Sequence, residues 1–490
     1  MEYTQQEDTA AENGSNRRLL DEIANARWVR CFAALVLLFL ATWLLNQYVF
    51  PRFTLVYGMA REFATVSSFT TNLVVAIAAS LRPNIFEPRK LAGFAVLIGA
   101  VGLAMVAAGL ASANPTVLTI GSIAMNAGRA LASVLACIVL ISLSPRAAAV
   151  GIAGSLATAY VLRIAFVALP GEVGTIAFAL SPFAIIALAY PSARPILERI
   201  RTNPGASTLA LTEPRAFLPY SHILFVSFFV FRIAFGFSLM FGESDGMPQF
   251  TLLALLPLAV VAVQTLVAGK AAPADILYQV ASLFVLAGFL CVLVPQFEGT
   301  AAPNILLAAG SDCFTVLVYY ALAAIGRRNP LHALPIFAWG QFATGAGSLV
   351  GTSLGHLTNG LLVDQPLLVP GAVVLVVLAF SAFNLLVLRT FSFEKTIEGI
   401  ESVPLLEPTA EPESDRSDAI EAQCARIAER FALTERETDV FKLLAKGRNV
   451  PFIEEELVIS RNTIKTHIKH IYQKMDLHSQ QELIDMVETY

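Results

Sequence analysis

The sequence predicts an all-α chain of two unlike parts: a polytopic bundle of twelve transmembrane helices and, after a short linker, a small four-helix domain. Three observations carry this reading. Of 490 residues, 56% are hydrophobic and only 14% charged, where an ordinary globular chain has roughly 25% charged residues. Apolar runs long enough to cross a bilayer recur as far as residue 390. After Phe393 the composition changes abruptly, and beyond residue 419 apolar side chains return at helical spacing, separated by capping residues.

The first 28 residues are polar and read as a tail. The apolar run that follows is too long for the core of a cleavable signal, so it is expected to stay as the first membrane helix. A helix needs about 20 apolar residues to span the hydrocarbon. Segments near 29–50, 59–81, 91–112, 116–143, 146–169, 173–190, 220–241, 249–269, 276–296, 302–325, 331–355 and 366–390 qualify.

Basic residues test that count, because they concentrate on the cytoplasmic side. With a cytoplasmic N-terminus, the inner regions carry Arg17, Arg18, Arg27 and Arg30, then Arg82, Arg89 and Lys90, then Arg146. They continue with Arg194, Arg199, Arg201 and Arg215, then Lys270, Arg327, Arg328, Arg389 and Lys395. The outer loops carry only Arg52 and Arg61, and several hold acids: Glu172, Glu243, Asp245, Glu298 and Asp364. A miscount by one span would scramble this alternation. An even count returns the C-terminus to the cytoplasm, so the expected location is a bacterial cytoplasmic (inner) membrane with both termini inside. The net charge of −4 carries little information, since the charges are so unevenly placed.

The long inner loop at 191–219 divides the spans six and six, a layout that resembles the major facilitator architecture. The loop after the second span, LRPNIFEPRKLAG, lacks the Gly, Asp and paired-Arg pattern that many such transporters carry there. Ionisable residues inside spans are expensive and mark functional positions by default. Arg129 in the fourth span, Arg163 in the fifth, Arg232 in the seventh and Asp312 in the tenth are such residues. They are candidates for a central pocket in which arginines meet a small anionic or polar ligand. The plainer alternative is that Asp312 ties to one arginine between helices while Arg163 and Arg232 snorkel. The run GQFATGAGSLVG at 340–351 fits close helix packing better than a phosphate loop, because no Lys-Ser/Thr follows its last glycine.

Residues 391–418, acidic and proline-bearing, read as a flexible linker. Helices follow by their caps. One is expected over 419–431. A second opens on Thr434 with Glu437 three residues on, a capping box, and closes at Gly447. A short third carries Pro451 in its first turn. A fourth starts at the cap Ser460 and runs to about Met475, and Ser479 with Glu482 opens a last helix.

The helix at 460–475 bears the chemistry. Ile464, Ile468, Ile471, Tyr472 and Met475 form one apolar stripe, and Asn462, Lys465, Thr466, Lys469 and Gln473 occupy the opposite face. From Leu457 to Met475 there is no acid, while Arg461, Lys465, Lys469 and Lys474 add positive charge; Glu454, Glu455 and Glu456 stand immediately before. A merely solvated charged face would not segregate charge so sharply. A helix that enters the major groove of double-stranded DNA requires it.

LTERETDVFKLLAKGRNVPFIEEELVISRNTIKTHIKHIYQKMDLHSQQELIDMV resembles, over its full span, the LuxR-type (GerE-like) helix-turn-helix signature. The likeness lies in Leu433 to Glu437, Gly447, Ile459-Ser460, Thr463-Ile464-Lys465, His467, Ile471-Tyr472 and Lys474-Met475. One departure is Glu454, where the family usually has a small residue, and it bears on scaffold-helix packing rather than on the reading face. The resemblance implies that Lys465, Thr466 and Lys469 face base edges. Lysine donors suit guanine acceptors, and the Thr466 methyl suits thymine. It further implies that Ser460, Asn462, Thr463 and His467 hold phosphates, and that the last helix dimerises on a two-half-site operator.

No soluble input domain precedes the linker, so the signal is expected to enter through the membrane part. The first reading is a membrane-bound transcription regulator whose bundle senses a small-molecule ligand. The alternative is a working transporter with a fused regulatory domain. A bare anchor would need one span, not twelve. An enzyme reading finds no nucleophile motif, metal-ligand cluster or complete phosphate loop, and the scattered cysteines (Cys31, Cys137, Cys291, Cys313, Cys424) suggest neither a disulfide framework nor zinc; no cofactor is called for.

Overall fold

The computed structural model describes residues 18–202, 216–240, 274–297, 302–362, 369–403 and 423–489, with Leu255, Ala259 and Thr300 as single residues. Among them nine helices are long and apolar enough to cross a membrane. The first half of the bundle comprises α1 (Ala26–Leu44, continued through a π-turn to Phe53), α2 (Ala60–Leu81), α3 (Pro88–Ala111), α4 (Pro115–Ile138), α5 (Pro145–Val167) and α6 (Gly171–Thr202). The second comprises α7 (Ile223–Met240), α8 (Ala274–Val292), α9 (Ala302–Arg328), α10 (Ala333–Leu362) and α11 (Val369–Ala382). These match eleven of the twelve expected spans; the span at 249–269 lies almost entirely outside the described residues, as do Arg215, Glu243, Asp245, Lys270, Glu298 and Asp364.

Proline after a polar cap starts three of these helices. Asn114 accepts from the Thr116 and Val117 amides before Pro115, and Ser144 accepts from the Ala147 amide before Pro145. Pro88 opens α3 in the same position. A proline there sacrifices an amide that has no helical partner anyway. The loop expected from residue 191 begins later, because α6 continues to Thr202 through Pro182, Pro191 and Pro195. A membrane helix tolerates such prolines where its neighbours compensate the freed carbonyls. Arg194 and Glu198, paired at 2.9 Å one turn apart, support the extension.

The halves meet where α2 packs along α10 and α5 along α9; within the second half α7 lies against α10 and α8 against α9. The glycine run on α10 makes one of these contacts possible. A Cβ on Gly347 would overlap the Phe229 carbonyl, and one on Gly351 the Ile233 carbonyl, both on α7. The expected helix-packing role of 340–351 is what the structure contains.

The segment from residue 391 is not free tether at its start. A helical turn α12 (Phe393–Glu398) and the residues up to Val403 are folded against the second half. Acidic composition alone hides this, because the two anchoring apolar residues, Phe393 and Ile400, are too few to show as a periodic pattern. Residues 404–418 lie outside the described residues.

The C-terminal helices are α13 (423–430), α14 (Glu435–Ala445), α15 (Val450–Leu457), α16 (Arg461–Met475) and α17 (Gln480–Thr489). They close on a core of their own: Cys424, Ile427, Val440, Phe441, Leu444, Val450, Ile453, the α16 stripe, Leu483 and Val487. Gly447, at φ 69°, adopts the left-handed backbone that ends α14.

Candidate nucleic-acid interface and a polar cluster in the bundle

Asn449 caps α15 by accepting from the Phe452 amide at 3.0 Å, and Ser460 caps α16 by accepting from the Thr463 amide at 3.3 Å. Between them Val458 turns the chain in the left-handed region, at φ 51° and 87% exposed. A β-branched residue is strained there. On α16, Ile464, Ile468, Ile471, Tyr472 and Met475 are all buried. Burying these five side chains is worth on the order of 10 kcal/mol, an upper value, and it fixes the rotation of the helix. Asn462, Lys465, Thr466, Lys469 and Gln473 are consequently all exposed.

Details sharpen the outward face. The Thr466 hydroxyl donates to the Asn462 carbonyl at 3.1 Å, so its own helix occupies the hydroxyl proton. The Ser460 and Thr463 hydroxyls are 2.8 Å apart, and His467 is half-buried. Glu454 is exposed.

Lys474 belongs elsewhere. Its ammonium lies 2.6 Å from Glu437 on α14 and donates to the Ala432 carbonyl at 2.9 Å. Glu437, whose side chain is 5% exposed, also accepts from the Thr434 amide at 2.8 Å, completing the capping box, and lies 3.5 Å from His470. Burial pushes this carboxyl up, but the Lys474 and Thr434 hydrogen bonds and the Lys474 charge outweigh it and hold its pKa at about 2. Glu437 therefore bolts α14 to α16. The sequence spacing places Lys474 off the outward face, nine residues after Lys465 and half a turn of the helical wheel away, but does not name its partner. At the second expected box, Ser479 accepts from the Glu482 amide at 3.1 Å, while the Glu482 carboxylate reaches back to the His478 amide at 2.8 Å.

In the bundle, Arg163 on α5, Arg232 on α7 and Asp312 on α9 come together. Arg232 donates to the Ser311 and Thr315 hydroxyls at 3.0 and 2.9 Å and lies 5.3 Å from the Phe314 ring centre. Arg163 lies 4.2 Å from the Tyr160 ring centre. Asp312 has Tyr160 within hydrogen-bonding reach and both arginines within electrostatic reach, yet its Oδ2 is buried without a hydrogen-bond partner. Arg129 stands apart, donating to Asn126 at 3.2 Å and to Thr42 at 3.4 Å, with Tyr319 close enough to interact with both it and Arg232. Tyr160, Ser311, Thr315 and Tyr319 were missed, being neutral. Ser311 and Thr315, flanking Asp312 within one turn of a helix, were the available signal.

Residues 432–487 match the family described as "Bacterial regulatory proteins, luxR family". The chain is 37% identical over 71 residues to an Escherichia coli K12 protein named "Uncharacterized response regulatory protein YgeK", covering 14% of this chain and 48% of that one. It is 36% identical over 87 residues to a putative HTH-type transcriptional regulator of Aeromonas salmonicida (18% and 44%), and 44% identical over 50 residues to the E. coli K12 nitrate/nitrite response regulator protein NarL (10% and 23%). The chain spans less than half the length of these curated relatives. Among solved structures, the major facilitator superfamily proton:xylose symporter XylE aligns with 77% of this chain and 98% of its own at 12% identity, with a TM-score of 0.50, a likeness of fold alone. The C-terminal part of the chain is thus a LuxR-type helix-turn-helix domain, joined to a membrane bundle of major-facilitator-like fold.

Proposed function

We propose that this chain is a membrane-bound transcription regulator in which the bundle senses a small ligand and controls sequence-specific DNA binding by the C-terminal domain. The acid-free face of α16, turned outward by its own buried stripe, carries the reading. In it, Lys465, Thr466 and Lys469 contact base edges, and Ser460, Asn462, Thr463 and His467 contact phosphates. The domain acts as a homodimer through α17 on a two-half-site operator. The units are the tail 1–28, the bundle 29–390, the linker 391–418, whose first part up to Val403 is docked on the bundle, and the DNA-binding domain 419–490, with both termini in the cytoplasm, which the alternation of basic residues supports.

The ligand is taken by Arg163, Arg232 and Asp312, with Arg129 at the margin. The unpartnered Asp312 Oδ2 supports this, because a buried polar atom without a partner is costly unless something else satisfies it. Ligand binding then shifts a conformational equilibrium of the bundle.

Because the C-terminal domain has its own core, a 415–490 fragment is the tool of choice. Genomic sites bound by the fragment, and lost on Lys469→Ala, identify the operator; unchanged binding by the variant would refute the assignment of the reading face. The fold also favours a second reading, active transport with a fused regulator. Ligand flux into vesicles, measured beside ligand-dependent reporter expression, separates the two, and carrier-like flux would sink the pure-receptor reading.

A further inference from the structure

The residues that lead out of the bundle are clamped at both ends. Ser392 caps α12 by accepting from the Lys395 amide at 3.1 Å. Asp275, in the first turn of α8, accepts from the Ser392 hydroxyl at 2.5 Å and from the Phe393 amide at 2.6 Å. At the other end Arg328, the last residue of α9, donates to the Glu398 and Ile400 carbonyls at 3.0 and 2.9 Å, and its own carbonyl accepts from the Val403 amide at 2.9 Å. An acid at the start of the turn and a guanidinium at its end both suit the helix dipole. Between the clamps, Phe393 is 2% exposed, 5.1 Å from the Tyr278 ring, and Ile400 is 3% exposed.

The neighbouring residues face the other half. Arg327 donates to the Leu143 carbonyl, in the turn between α4 and α5, and Gly326 lies against the Ile141 side chain. One helix end therefore grips the first half with Arg327 and the outgoing segment with Arg328.

We infer that residues 392–403 are a latch, docked on Asp275 and Arg328, whose hold depends on the contact between the two halves at Arg327. When the halves part at this end, the last turn of α9 loses its outer support. Helix ends are the parts that fray first, and Arg328 sits on this one. The latch then releases and the DNA-binding domain gains length of tether. This rests on the regulatory reading above and names its transmission element.

The test uses the full chain in inverted membrane vesicles carrying Ile400→Cys, a buried position where cysteine remains a small hydrophobe. The labelling rate by a bulky maleimide is read against the parent chain, whose own cysteines give the background. Arg328→Ala removes two charge-assisted bonds and should raise labelling about tenfold to a hundredfold. Asp275→Asn, which weakens the other clamp, should raise it less. Arg327→Ala should raise it several-fold, with Arg327→Lys restoring most of the protection. Parent-like labelling in both Arg328→Ala and Asp275→Asn overturns the latch, and parent-like labelling in Arg327→Ala overturns its dependence on the halves. Operator occupancy by the same full-length variants is measured separately. Labelling that responds while occupancy does not would uphold the latch and remove the regulatory reading instead.

Discussion

Glu437 in the C-terminal domain and Asp312 in the bundle are both carboxylates with oxygens withdrawn from water, and their surroundings differ in kind. Glu437 has every demand met: a lysine at 2.6 Å, the backbone amide it caps, and a histidine at its second oxygen. Asp312 has two arginines nearby, but Arg232 spends its donors on neutral hydroxyls and Asp312 keeps a buried oxygen unpartnered. A fully satisfied buried charge rigidifies a fold, while a partly satisfied one carries a cost that a further partner would relieve. The contrast separates a structural charge from a candidate functional one without reference to position in the chain.

That contrast can be broken most directly at Glu437. Glu437→Ala removes an ion pair and a capping box together and should destabilise the 415–490 fragment by about 3 kcal/mol, a fall of roughly 10–20 °C in melting temperature for a domain this small. The same group sets an acid limit. Its pKa is held down, so its contribution is complete above the ordinary value of 4.5 and is lost as pH falls from there through about 2. Acid unfolding followed by circular dichroism should show this loss, and Glu437→Gln should flatten it.

Next in size, Lys469→Ala should weaken operator binding by about 1–3 kcal/mol and relax base preference while leaving fragment stability alone, whereas Lys474→Ala should do the reverse. Gel-shift titrations beside thermal melts distinguish the two lysines. Val458→Asn, which relieves a β-branched residue of left-handed backbone, should stabilise the fragment by about 1 kcal/mol. The smallest stability change belongs to Asp312→Asn. Melting of the detergent-solubilised chain should shift less than the fragment does on Glu437→Ala, because the amide keeps the shape of the side chain and its capacity to accept a hydrogen bond, while ligand-dependent reporter output disappears. A large melting shift would make Asp312 another Glu437.

Sequence reasoning reached furthest where one physical demand dominated. Apolar length marked the spans, and the 3.6-residue stripe fixed which face of α16 is buried, because burial of Ile464 to Met475 leaves that helix one orientation. Thr434 with Glu437 marked a helix start, since caps are local. It reached least where distant segments decide. Nothing local says that Lys474 meets α14, that α6 runs on past Pro191, or that Tyr160 stands beside Asp312. The start of the linker was misread for the same reason: its clamps, Asp275 and Arg328, lie far away in the chain.

The docked stretch at 392–403 also sets a geometric limit on where this protein can act. From Val403 to the first described residue of α13 there are roughly 20 residues, a contour of at most about 70 Å whatever path it takes. Undocking back to Ser392 adds roughly 11 residues, or up to about 40 Å. On the regulatory reading proposed above, a DNA-binding domain tied within this distance meets only chromosome beside the bilayer, and its operator has to come to the membrane. Letting out the tether widens that reach but dilutes the domain within it, by roughly twofold if local concentration falls as the −3/2 power of tether length.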